Sequence, residues 1–218
     1  MKRIIFLLGV VICITFTAVP SFSDDGADVD SLIKTSMNDV LGIARKPSMA
    51  NEDKRKELWK IVQKTFDFAK ITEFTLGQFS YNSTSALGEY SDRRFTKAEQ
   101  EEFREVFTRH LSNTYLDRMD FKNVDVIIDL KPAEILEAKK GIKRAQVKTM
   151  INKKTPIDYI LLNEGKDWKI YDVKVEGRSL VSAFRTEYKA ILLKNKPKVL
   201  TQMLKDKVKE HESAKKKS

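Results

Sequence analysis

Asp172 and Glu176 are the two carboxylates in this chain whose type and spacing come nearest to acid–base chemistry. Residues four apart on an extended segment share a face, and paired carboxylates on one face can divide the roles of acid and base. Alternation, however, sets Asp172 opposite Tyr171 and Val173, and Glu176 falls at a corner beside Gly177. The pair therefore reads as structural. The two histidines, His110 and His211, stand far apart in the chain. His110 falls on the border of a helical apolar face, where an imidazole is most simply a packing residue. No His, Cys, Asp and Glu cluster has metal-ligand spacing, and neither a glycine-rich phosphate loop nor a G-x-S-x-G elbow is present. The expectation is a protein with no catalytic residue, no metal and no cofactor.

The N-terminus bears on compartment. Lys2 and Arg3 precede an uncharged apolar run, Ile4 to Thr17, which Pro20 breaks. Ser21 and Ser23 put small residues where a signal peptidase cuts, so 1–23 reads as a secretory signal peptide. The run is short for a membrane span, which needs about 20 residues. Cys13 is the single cysteine and lies inside the run, so the mature chain has neither disulfide nor thiol chemistry. Net charge is +10, of which Lys2 and Arg3 carry two, leaving +8 for the mature part. Such an excess serves solubility, or attracts an anionic surface or polymer. Part of it sits in 205–218, a lysine-rich tail read as solvated and frayed.

The elements follow from apolar period and punctuation. Val29, Leu32, Ile33, Met37, Val40 and Leu41 predict a first helix that ends before Pro47. Asn51 opens a second, with Leu58, Trp59, Ile61, Val62 and Phe66 on its apolar side. A third runs from about Phe66 to a stop at Gly77. Ser80 to Arg94 is loop-like. Thr96-Lys-Ala-Glu99 is a capping box opening a helix with Phe103, Phe107, Leu111 and Tyr115 on one face. The period then changes to two in Val124–Leu130, Arg144–Ile151, Ile157–Leu162 and Trp168–Val175, with Pro132 to Gly141 read as a turn. Gly177 makes a corner, Ser179 caps a helix carrying Leu180, Phe184, Tyr188, Ile191 and Leu192, and Pro197 starts the last helix. This order predicts an α+β fold: an antiparallel sheet of about four strands with helices packed around one face. Period two alone places Val126, Ile128, Val147, Thr149, Ile151, Ile157, Tyr159, Leu161, Tyr171, Val173 and Val175 inward. A filled core and an apolar cavity need the same inward residues, so the pattern leaves both open.

Three stretches together resemble the MlaC family of periplasmic phospholipid-binding proteins, also called toluene-tolerance auxiliary proteins. They are Phe66-Asp-Phe-Ala-Lys-Ile-Thr-Glu-Phe-Thr-Leu-Gly77, the Phe103, Phe107, His110-Leu111 and Thr114-Tyr115 run, and Trp168 to Leu180 with Phe184-Arg185 and Tyr188. Order and spacing match from about Ile33 to Leu204. The resemblance implies a twisted antiparallel sheet enclosing a deep apolar pocket, with 24–204 as the lipid-binding domain. It implies a soluble carrier in the periplasm of a Gram-negative bacterium, moving phospholipid between outer and inner membranes and so maintaining outer-membrane lipid asymmetry. Implied partners are phospholipid, an inner-membrane ABC transporter complex and an outer-membrane lipoprotein–porin complex, with no nucleic acid. With the inward faces, it predicts lipid contacts at Phe107, Leu111, Tyr115, Val147, Thr149, Ile151, Tyr159, Tyr171, Val173, Val175, Phe184 and Tyr188. Arg185 and Lys148 are candidates for its mouth. Three features depart from the family pattern: a longer Ser80–Arg94 link, Arg178 where a small apolar residue is common, and the lysine-rich tail. The competing readings are a small-molecule enzyme or apolar-ligand binder on a cone-shaped α+β scaffold, and a basic adaptor for a polyanion.

Overall fold

Where the chain changes from helical to extended period, the computed structural model changes from helices to sheet. It describes residues 25–117, 119, 121, 126–139 and 141–215. The expected signal peptide at 1–23, Arg118, Val124, Asp125 and the last three tail residues lie outside these. Helices α1 (Asp25–Ala44), α2 (Asn51–Thr65), α3 (Phe68–Leu76) and α4 (Lys97–Tyr115) come first. Strands β1 (Ile128–Leu130), β2 (Glu134–Lys139), β3 (Ile142–Ile151), β4 (Thr155–Asn163), β5 (Lys169–Val175) and β6 (Arg178–Ser179) follow, then α5 (Leu180–Leu192) and α6 (Pro197–Lys215).

Several helix ends fall where the local residue types favour them. Asp67 Oδ1 accepts from Lys70 N at 2.9 Å and opens α3. Gly77 closes it at φ 57°, ψ −122°, a conformation that a Cβ strongly disfavours. The capping box is formed: Glu99 N donates to Thr96 Oγ1 at 3.2 Å, and Thr96 N donates to Glu99 Oε2 at 2.9 Å. Ser179 Oγ accepts from Ser182 N at 2.9 Å and opens α5. Pro197 stands first in α6, where its missing N–H costs nothing.

The sheet is antiparallel and has six strands, correcting the expected four. Strands β1 and β2 share the outer edge of β3, and β6 lies beyond β5. The 132–141 stretch, read as a turn, contains β2. An edge strand buries neither face regularly, and adjacent Ile135 and Leu136 are both exposed, so the alternation that reveals a strand is missing. Strand β6 has two residues, joined to β5 by Glu176 and Gly177, both at positive φ as a tight hairpin turn requires. Val126, expected within a strand, precedes β1.

A bulge changes the parity of β5. Ile160 faces Asp172, but Leu161 faces Ile170, leaving Tyr171 as the extra residue. Strict alternation leaves Ile170 off the inward face. Instead Ile170 is buried with Ala145, Val147 and Leu161 against Val29 and Ile33 of α1. A second core joins Phe103 and Phe107 of α4 to Tyr188 and Leu192 of α5 and Leu200 and Leu204 of α6. A third packs Ala44 and Leu58 with Leu116 and Phe121, where buried Lys54 donates to Ala44 O at 2.8 Å. Helix α6 crosses the expected 204/205 boundary unbroken: Val208 is buried, and Lys205 and Arg109 pair with Glu102 and Glu212.

Candidate functional site

Between β4–β5 and helices α2 to α5 the packing leaves a cavity of about 480 Å³, within the range of ligand pockets. Helix α2 contributes Trp59 and Val62, and Phe66 follows at the joint to α3, which adds Phe68 and Ile71. Phe107, Leu111 and Tyr115 come from α4 at i, i+4 spacing, with Ser112 beside them and Leu116 and Met119 beyond its end. Strand register aligns the opposite wall, because Tyr159 faces Val173 across the β4–β5 pair, with Ile157 alongside. Leu180, Val181 and Phe184 of α5 complete it, with Tyr171 and Asp172 of β5. Phe107 meets Phe184 edge-on at 5.2 Å, which joins the α4 and α5 walls.

The wall carries one ionisable carboxylate, Asp172, and it is already engaged. Its Oδ2 accepts from Ser179 Oγ at 2.5 Å, and its Oδ1 accepts from Val181 N at 3.1 Å and Val173 N at 2.8 Å. Burial raises the Tyr159 and Tyr171 hydroxyl pKa values, so both remain neutral. Glu176 is exposed in the β5–β6 turn and forms no pair with Asp172. His110 is half-buried, 6.5 Å from the Phe184 ring, and burial together with Lys207 lowers its pKa. His211 instead meets Asp117 at 3.1 Å. Among the described residues no group of three or more His, Cys, Asp or Glu could hold a metal. An apolar wall of this kind can take up hydrocarbon; its one carboxylate is spent on holding a helix.

Seven of the twelve expected contact residues meet on this cavity: Phe107, Leu111, Tyr115, Tyr159, Tyr171, Val173 and Phe184. The other five lie elsewhere. Val147 is fully buried beneath α1, and Thr149, also buried, donates to Ile157 O at 2.7 Å. Ile151 closes the end of β3 opposite Ile128, and Val175 faces Arg178 at the hairpin. Tyr188 is inside the core, edge-on to Phe103 and Phe107 at 5.7 Å each. Arg185 donates from Nε to Phe74 O at 2.5 Å, and Lys148 pairs with Glu134 at 2.8 Å; neither lines the cavity.

A family model described as MlaC protein matches residues 34–206. The chain belongs to the MlaC family. A solved structure of a phospholipid-binding protein from Ralstonia solanacearum, in complex with a phospholipid, has a similar fold. The TM-score is 0.66 at 19% identity, covering 84% of this chain and 98% of that one. A comparison with curated proteins gives no match. In this MlaC-family chain several cavity residues escaped sequence reasoning as contacts, among them Trp59, Val62, Ile157, Leu180 and Val181. The signal for α2 was present, because Trp59, Val62 and Phe66 recur at three- and four-residue steps. Nothing in that periodicity told which helix faces a void and which a filled core.

Proposed function

We propose that this protein is a phospholipid carrier. The carrying observation is the 480 Å³ cavity, lined mostly by apolar side chains, with Asp172, the one carboxylate among its lining residues, held by Ser179 and two backbone amides. A phospholipid leaving a bilayer exposes its acyl chains to water at about 0.8 kcal/mol per CH₂, and a carrier must hide that surface. Membership of the MlaC family and the phospholipid in the Ralstonia solanacearum relative support phospholipid as the ligand class. The N-terminal layout supports a periplasmic location. There the protein would shuttle lipid between the outer and inner membranes in service of outer-membrane asymmetry. Its partners would be an outer-membrane lipoprotein–porin complex and an inner-membrane ABC transporter complex, as the family resemblance implies.

Native mass spectrometry of protein purified from cells tests the ligand. The expected spectrum contains an adduct with the mass of a phospholipid, and delipidated protein regains it from vesicles. A clean apo mass under gentle conditions, with no uptake from vesicles, overturns the reading.

A further inference from the structure

A second apolar cavity, of about 200 Å³, lies between α1, α2 and the sheet. Its walls include Ile33, Met37 and Leu41 of α1, Ile61 of α2 and Ile170 of β5, and no charged side chain is among its lining residues. Three of its lining residues carry hydroxyls, Ser36, Thr65 and Tyr159, and the first two are hydrogen-bonded. Ser36 Oγ and Thr65 Oγ1 lie 3.3 Å apart, and Thr65 donates to Ile61 O at 2.8 Å. Val62, Phe66 and Tyr159 line this cavity and the larger one alike. One layer of side chains therefore divides the two.

We propose that the α1–α2 cavity is a second acyl-chain subsite. A two-chain lipid places one chain in the larger cavity and the other here, on either side of Val62, Phe66 and Tyr159. The inference rests on the carrier reading and adds how the two tails are divided. Three physical points support it. The recess is partly open to solvent, so when empty it keeps apolar surface wet, and an apolar occupant would bury that surface. Water is a poor occupant, because it needs two to four polar partners and two of the three lining hydroxyls are already hydrogen-bonded. Met37, unbranched and adaptable, suits a wall that must fit hydrocarbon of variable shape. Two chains diverging from one glycerol need two adjoining apolar spaces. Rotation of Phe66 or Tyr159 joins the cavities when the lipid enters.

The test uses wild-type protein loaded with phosphatidylethanolamine that carries a photoreactive diazirine at the end of each acyl chain. Peptides spanning Ile33–Leu41 of α1 are expected to be labelled together with peptides of α4 and α5. Label confined to α4 and α5 overturns the inference and leaves the carrier reading standing. Uptake of no lipid at all overturns both. A variant gives a second readout. Met37→Trp is expected to lower diacyl phospholipid uptake by about tenfold, or about 1.4 kcal/mol, while single-chain lysophospholipid uptake persists. Leu111→Trp, in the larger cavity, is expected to lower both. Folded Met37→Trp protein with wild-type diacyl uptake overturns the inference, and if that variant does not fold, the wild-type labelling pattern decides.

Discussion

Asp172 Oδ2 accepts a 2.5 Å hydrogen bond from Ser179 Oγ, while Asp172 Oδ1 accepts from Val181 N at 3.1 Å. One carboxylate thus ties a sheet strand to the first turn of the helix that walls the cavity. Carboxylates at helix N-termini are favoured by the unpaired amides and by the helix dipole. Asp172→Ala is expected to cost about 2 kcal/mol in urea unfolding, within the range for a lost cap or a hydrogen bond to a charged group. Asp172→Asn keeps an acceptor and is expected to cost less. Equal stability of Asp172→Ala and wild type would remove this clamp from the account.

Val173 faces Tyr159 across the sheet and forms part of the cavity wall. Val173→Glu sets a carboxylate where hydrocarbon is expected, and an ionised group without a partner is costly there. Phospholipid retention by native mass spectrometry is expected to fall by about tenfold or more. The melting temperature is expected to change little, because the side chain faces a void. A variant that unfolds but retains lipid while folded would mark this position as filled core.

Tyr188 is 1% exposed, and its buried hydroxyl has no hydrogen-bond partner among the described residues. Burial raises its pKa strongly, so it stays protonated across ordinary conditions. Removing an unsatisfied polar group relieves its desolvation cost, so Tyr188→Phe is expected to stabilise the protein by about 1 kcal/mol. Thermal and urea unfolding measure this; a loss of stability would reveal an acceptor for the hydroxyl.

Asp117, just past the end of α4, holds α6 through Lys215 and His211, each at 3.1 Å. Burial acts to raise its pKa, but hydrogen bonds from Lys215 and His211 outweigh this and hold it below the ordinary 3.8. Because the folded pKa is the lower one, the stabilisation is present above 3.8 and is lost as pH falls through the folded value. Asp117→Asn is therefore expected to destabilise at pH 7, with the difference shrinking below pH 3.8. Urea unfolding of both proteins across acid pH checks this, and a gap that persists at the lowest pH would exclude the charge as its source.

The helix boundaries were legible because their signals are local. Gly77, the Thr96–Glu99 box, Ser179 and Pro197 each act within one turn of their own backbone and sit at an observed helix end, while Asn51 starts α2 without a side-chain cap. Strand β2 was not legible, because an edge strand with exposed Ile135 and Leu136 lacks the one-sided burial that writes period two into a sequence. Ile170 was missed for another reason. The β-bulge at Tyr171 moves the face by one residue, and only pairing with β4 reveals it.

The α+β order, the antiparallel core of the sheet, the Thr96 and Ser179 caps and the family resemblance were all readable from local chemistry and short-range period. Which inward residues face a cavity depends on how distant segments pack. Val147 and Tyr159 face each other across one strand pair, yet α1 covers Val147 completely while Tyr159 borders open space on two sides. The difference is set by where α1 and α2 lie over the sheet. That placement depends on contacts between distant segments, and a filled core and an open cavity have the same apolar pattern in the chain.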